Sequence, residues 1–285
     1  MLNKVALVTD STNDIPQELR EKYQIFVVPL TIIWGKEQYR DGIDMKASDF
    51  YARLTLDEPL PTTSQPTPKD FLEKYRQAVL AGAEEIVVIT ISSAMSGTIG
   101  SARTAAEGFE IPVHVIDSKS NSMSLGWEVL AAARERERGG NAQQMIEAVD
   151  KVRQKLHFHI ILDTIDFLFH GGRIAGAARL IGGLLHIKPQ IRVNHETGSV
   201  EAGDIAHTRA QAINRLFTSF FNHLDTSRPM HIAVLHNAAL QEAEALAERV
   251  RLEFHPQELI ISIVSPVLGV HTGPQALALC GYSED

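Results

Sequence analysis

The chain has 285 residues, of which 44% are hydrophobic, and its 27 basic and 35 acidic side chains leave a formal net charge of −8. That length suffices for two modest domains or one large one, and an acidic balance without a long basic run lacks the phosphate-neutralising footprint of a nucleic-acid binder. No run of about 18 apolar residues exists, and the start Met1-Leu2-Asn3-Lys4-Val5 lacks the basic, apolar and small-residue succession of an export signal, so a cytoplasmic protein without an integral membrane segment is expected.

The first strand is expected near Val5 to Val8 and runs into the polar turn Thr9-Asp10-Ser11-Thr12-Asn13-Asp14-Ile15. A helix near Pro16 to Lys22 and a strand near Ile25 to Leu30 follow. Residues 61 to 68 read Pro-Thr-Thr-Ser-Gln-Pro-Thr-Pro, a stiff hydroxyl-bearing loop in which Pro66 and Pro68 restrict their neighbours and delay the next helix to about Lys69. That helix extends to Ala81. The continuous apolar run from Ile86 to Ile91 suits a parallel strand covered on both faces, and it leads directly into a loop holding Ser92, Ser93, Ser96 and Thr98. A helix near Ile99 to Gly108, a strand near Val113 to Asp117 and a helix near Met123 to Arg138 complete the alternation. The cluster Arg134-Glu135-Arg136-Glu137-Arg138 alternates in sign and reads as a solvated helix face.

Strands alternating with helices imply a mostly parallel sheet; a further helix near Ala142 to Leu156 either closes this layer or leads to the next, and the first α/β domain is taken as residues 1–156. The pattern then changes. Strands near Phe158 to Leu162, Lys188 to Val193 and Val200 to Ile205 include a hairpin-like joint, residues 194 to 199, where Gly198 can take a positive φ. Helices near Arg209 to His223 and Gln241 to Phe254 alternate with strands near Ile232 to His236 and Leu259 to Val264. Residues 157–285 therefore form a second α/β domain with a mixed or antiparallel sheet. The cleft between the two is the expected ligand site. The run from Ala175 to Leu185 is small and apolar, which suits a helix lying close against another surface.

Hydroxyls sit where strand gives way to helix. Ligands of open α/β sheets bind beyond the carboxyl ends of strands, where free N–H groups favour an anion, yet Ser and Thr also serve there as plain caps and turns. Five openings in order carry a resemblance that spans nearly the whole chain: Val8-Thr9-Asp10-Ser11-Thr12, Thr63-Ser64-Gln65-Pro66-Thr67, Ile91-Ser92-Ser93-Ala94-Met95-Ser96-Gly97-Thr98, Gly171-Gly172-Arg173-Ile174 and His271-Thr272-Gly273-Pro274. The chain resembles the DegV family, fatty-acid-binding proteins that partner a fatty acid kinase. It departs from the pattern at Phe169-His170, where a basic residue is usual, and at Gln275, where glycine is common.

The resemblance implies a long-chain fatty acid held in a pocket between the two domains, with Thr63, Ser64 and Ser93 as donors to its carboxylate. Ser92 is the alternative to Ser93, because adjacent strand residues face opposite ways. Arg173, after a glycine pair that bends the backbone, is implied at the pocket mouth, and His271 beside the carboxylate; without the motifs both read as surface or packing residues. A fatty acid kinase subunit is the implied partner, phospholipid synthesis the implied destination, and no catalytic turnover is expected of the chain itself. The competing readings are a serine hydrolase using Ser93, His271 and Asp10 or Asp117, without the small-residue GxSxG elbow, or a carrier or sensor of another amphiphile. No cofactor is expected: GxxxxGK[ST] and GxGxxG are absent. His157 and His159 share a strand face without any metal-ligand spacing, so no metal is expected. Cys280 is the sole cysteine, which excludes an internal disulfide.

Overall fold

The computed structural model describes residues 4–57, 59–173, 176–177 and 187–285. Its first sheet is formed by β1 (Val5–Asp10), β2 (Ile25–Val28), β6 (Glu85–Thr90) and β7 (Val113–Asp117), all parallel and in the order β2-β1-β6-β7. Successive strand residues point to opposite faces, and both faces are covered. Ala6, Val8, Ile86 and Val88 pack against Phe71 and Tyr75 of α3 (Pro68–Leu80) and Ala102 of α4 (Thr98–Ala106). Val5, Leu7, Val87 and Ile89 face the other way, into a core shared with α5 (Ser122–Glu137) and α6 (Ala142–Arg153). Burial on both sides is why these strands read as continuous apolar runs.

The second sheet has six strands in the order β10-β9-β8-β13-β11-β12, only the β11–β12 pair being parallel. They are β8 (His157–Ile161), β9 (Lys188–Asn194), β10 (Ser199–Ala206), β11 (Met230–His236), β12 (Glu258–Ile263) and β13 (Leu277–Ser283). One face, with Ile232, Val234, Leu277 and Leu279, packs under α8 (Arg209–Phe221) and α9 (Leu240–Phe254). The other, with Phe158, Ile160, Ile191 and Cys280, joins the α5 core. Helix α5 therefore lies between two sheets, and residues from Ser122 through Leu130 are buried all around it, Trp127 among them. A helix buried on every side carries no clean polar stripe.

Helix α3 starts as its sequence dictates: Thr67 and Asp70 form a reciprocal capping box, with Pro68 in the first turn where its missing N–H costs nothing. The segment expected as a stiff loop is in part a strand. Residues of β5 (Thr62–Ser64) pair with β3 (Thr31–Trp34), which also pairs with β4 (Glu37–Arg40), giving a small antiparallel sheet. Among the described residues there are also the short helices α1 (Gln17–Lys22), α2 (Ala47–Arg53), α7 (Asp166–His170) and α10 (Pro266–Thr272).

Two expectations need correction. The charge cluster at the end of α5 is not a solvated face: Arg136 is buried and donates to the carbonyls of Val5 and Tyr23, while Arg134 holds Glu258 through two contacts of 2.7 and 2.8 Å. Alternation of sign could not reveal that the helix is enclosed by a second sheet. The segment read as a strand from Ile25 to Leu30 stops at Val28, and the chain then turns into β3. The small apolar run from Ala175 to Leu185 lies outside the described residues apart from Gly176 and Ala177.

Candidate functional site

A cavity of about 380 Å³ opens at the carboxyl ends of the first sheet, within the range of roughly 300–1,000 Å³ usual for small-molecule sites. Thr12, Ile91 and Asn121, which follow β1, β6 and β7, line it on the side of that sheet. The second sheet contributes Ile160, Ile191, Val193 and Val200, and α10 contributes Val267, Leu268, His271 and Thr272. Its lining is graded by burial. Ser64, Gln65, Gly97 and Arg173 are exposed, whereas Ile91, Ile160, Ile191 and Leu168 are buried, together with the hydroxyl-bearing Thr12. A larger groove of about 730 Å³ beside α5 and α6 is lined by paired charges such as Arg134 and Glu258 and contains none of the expected site residues.

Thr63, Ser64, Arg173 and His271 all line the graded cavity. Strand β5 brings Thr63 to α10, and Thr63 Oγ1 lies 3.0 Å from His271 Nε2. Burial, reinforced by the Arg173 guanidinium, pushes the His271 imidazole down to about 4, so the ring is neutral at physiological pH. A neutral ring has one N–H. Placed on Nε2, that hydrogen is donated to Thr63, leaving the Thr63 hydroxyl hydrogen for the cavity and only a lone pair at Nδ1, which has no partner among the described residues. Placed on Nδ1, it would be a buried donor without an acceptor, the costlier arrangement. The ring seats against Gly171, where a Cβ would fall 2.1 Å from Nδ1, so glycine is required there for the imidazole to approach. Arg173 is tethered from outside, donating to the carbonyls of Gly171 at 2.8 Å and Met95 at 3.4 Å.

Ser93 does not line the cavity. It is exposed, its hydroxyl donates to Asp117 Oδ2 at 2.5 Å and its amide to Asp117 Oδ1 at 3.1 Å. Ser92 is buried and donates to the Gly198 carbonyl at 2.7 Å. The chain turns immediately after β6, with the amides of Met95 and Ser96 both donating to the Ser92 carbonyl, and that turn returns Ser96 and Gly97 to the cavity wall. The strand rule picked between Ser92 and Ser93, but the backbone had already left the strand. The hydroxyl of this loop that reaches the lining is Ser96, 2.8 Å from Thr98 Oγ1. Sequence reasoning also passed over Thr12 and Gln65, although both stood inside motifs it had singled out. Met95 stood inside one as well, whereas Asn121 gave no such signal.

The structure does not bring Ser93 and His271 together. Ser93 is paired with Asp117 and His271 with Thr63, while Asp10 is consumed by the amides of Thr12 and Ile91 and the Thr12 hydroxyl, at 2.9, 2.7 and 2.6 Å. Asp10 is a brace: it ties the ends of β1 and β6, just before the lining residues Thr12 and Ile91. Burial nonetheless raises its carboxyl above the usual range. Among the described residues no group of His, Cys, Asp and Glu is placed to hold a metal ion, and no helix is long and apolar enough to cross a membrane.

Two α/β layers thus close over a cavity lined by exposed polar and buried apolar residues. A family model described as "Uncharacterised protein, DegV family" matches residues 4–284. The chain is 36% identical over 280 residues to a DegV domain-containing protein of Streptomyces coelicolor, covering 98% of each. Among solved structures it is similar to a fatty-acid-binding DegV family protein from Thermus thermophilus, with a TM-score of 0.92, 30% identity and coverage of 99% of this chain and 100% of that one. It is also similar to a stearic acid-binding protein from Eubacterium ventriosum, with a TM-score of 0.89, 26% identity and 98% coverage of both. This chain belongs to the DegV family.

Proposed function

We propose that the cavity holds one long-chain fatty acid with its tail inward and its carboxylate among the hydroxyls of the mouth, and that the protein presents this carboxylate to a separate ATP-dependent kinase. The observation that carries the reading is the grading of a single cavity, from Thr63, Ser64 and Arg173 to Ile160 and Ile191. Two structural relatives described as fatty-acid-binding and stearic acid-binding support it.

Burying methylenes contributes about 0.8 kcal/mol each, so a tail of roughly sixteen carbons supplies about 12 kcal/mol of gross drive before association costs. A carboxylate desolvated without donors would cost several kcal/mol. Thr63, Ser64 and Ser96 are the hydroxyls available to meet it, and Arg173 adds a nearby cation without itself sealing the opening. In this reading residues 1–156 carry the hydroxyl loops, residues 157–285 supply Arg173 and His271, and the ligand bridges them.

The kinase step rests on the exposure of the mouth and on the family pattern. Hydroxyl donors leave a carboxylate nucleophilic where a buried salt bridge would neutralise it, and exposed Arg173 is placed to meet an incoming phosphoryl group or the partner. The protein purified with bound lipid, incubated with such a kinase and ATP, should yield acyl phosphate. A kinase that acts equally well on free fatty acid would remove the presenting role.

A further inference from the structure

The hydroxyls at the mouth come from two separately built pieces, β5 with Thr63 and Ser64, and the turn into α4 with Ser96 and Gly97. No sheet hydrogen bond joins them, since β5 pairs with β3 and not with any strand of the first sheet. One side chain spans the gap. Gln65, immediately after β5, donates from Nε2 to Ser101 Oγ in α4 at 3.1 Å, and its Oε1 lies over Gly97. A Cβ built on Gly97 would stand 2.1 Å from Gln65 Oε1, 3.0 Å from its Cδ and 3.2 Å from its Nε2, the three nearest atoms and all from that one side chain.

Gly97 therefore has an unusual reason to be glycine. Its φ of −75° is open to any residue, so backbone conformation does not require it. What requires it is the Gln65 amide, which occupies the position of the missing side chain. Gln65 and Ser96 line the same cavity, so the span fixes the distance between the two hydroxyl sources.

We propose that Gln65 is a positioning residue, a clamp that holds Thr63 and Ser64 in register with Ser96, and that Gly97 is glycine to admit it. The effect on ligand rests on the fatty-acid reading above; the clamp itself does not. Because the far end of a glutamine can swing aside, Gly97→Ala displaces the amide at little cost to the fold. Losing the clamp should then loosen the head-group donors while leaving the tail wall intact.

The test is a double-mutant cycle with Gln65→Ala, Gly97→Ala and the pair. In ¹H–¹⁵N spectra of the lipid-free protein, Gln65→Ala and Gly97→Ala should each move the amide signals of both Thr63 and Ser96, with melting temperatures close to that of the parent. With [1-¹³C]hexadecanoic acid, each single variant should bind about tenfold more weakly, the worth of roughly one hydrogen bond, and shift the bound carboxyl resonance. The pair should be no worse than Gln65→Ala alone. Losses that multiply in the pair would overturn the clamp, as would lipid-free spectra in which Gln65→Ala leaves Ser96 unmoved. Parent protein that takes up no acid would instead sink the fatty-acid reading, and the lipid-free spectra would still decide the clamp.

Discussion

Thr63 and His271 are 208 residues apart and meet at 3.0 Å between Oγ1 and Nε2, one on a short strand of the smallest sheet and the other near the end of α10. The pair converts an imidazole held neutral into an orienting group for a hydroxyl. Thr63→Val keeps the shape and removes that hydroxyl. A hydrogen bond to a charged group contributes about 2 kcal/mol, so fatty acid affinity should fall roughly thirtyfold. Isothermal titration checks this, and an unchanged affinity would take Thr63 out of the head-group site.

Ser96 and Ser93 separate cleanly. Ser96→Ala removes a hydroxyl from the cavity wall and should weaken binding of the acid by about tenfold. Ser93→Ala removes only the exposed contact with Asp117 and should leave uptake within about twofold of the parent, because surface hydrogen bonds contribute little. The reverse ranking would restore Ser93 as the donor.

Arg173→Ala should spare lipid uptake, since its guanidinium is exposed and held by main-chain carbonyls, and should lower turnover by the partner kinase at least tenfold through loss of a permanent cation at the mouth. Steady-state kinase assays with preloaded protein read this directly. Equal turnover would remove Arg173 from the site.

Stability should depend on pH in two opposing ways. Burial raises Asp14 to about 6, Asp41 to about 7 and Glu128 to about 8, so the folded chain holds these protons more tightly than the unfolded one. Their contribution is fully present below the unfolded carboxyl values near 4 and is lost as pH rises through 6 to 8. Burial lowers His157, His195 and His271 to about 4 and His159 to about 3, so that contribution is present above about 6.5 and lost as pH falls toward 4. Melting temperature should therefore peak between about pH 6 and 7. A melting temperature that climbs steadily from pH 6 to 9 would contradict it.

The repeating strands and helices of the first half were legible because burial on both faces leaves apolar runs, as in Ile86 to Ile91, and because Thr67-Pro68-Lys69-Asp70 writes a helix start into four residues. Strand β13 was not, although Gly273-Pro274 marks a turn before it, since Leu277–Ser283 has no clear period and pairs by insertion between β8 and β11. The hairpin of β3 and β4 does carry a signal, the Gly35-Lys36 pair of its two-residue turn, in which Gly35 takes a φ of +65°. At the site, motifs located the loops but not the atoms. Nothing in Ile91-Ser92-Ser93-Ala94-Met95-Ser96 tells that the strand has ended at Thr90 and that the chain turns about Ser92, and that departure decides which hydroxyl faces the cavity. Arg136 was misjudged for a related reason, since enclosure by a distant sheet is a tertiary fact.

The most direct measurement is a crystal structure of the protein with added octadecanoic acid. The account expects one acyl chain in the cavity, its carboxylate within hydrogen-bonding distance, about 3 Å, of Thr63 Oγ1, and its tail against Ile160 and Ile191. An acid bound elsewhere, or lying with its carboxylate against Ile160 and its methyl end at Thr63, would contradict it.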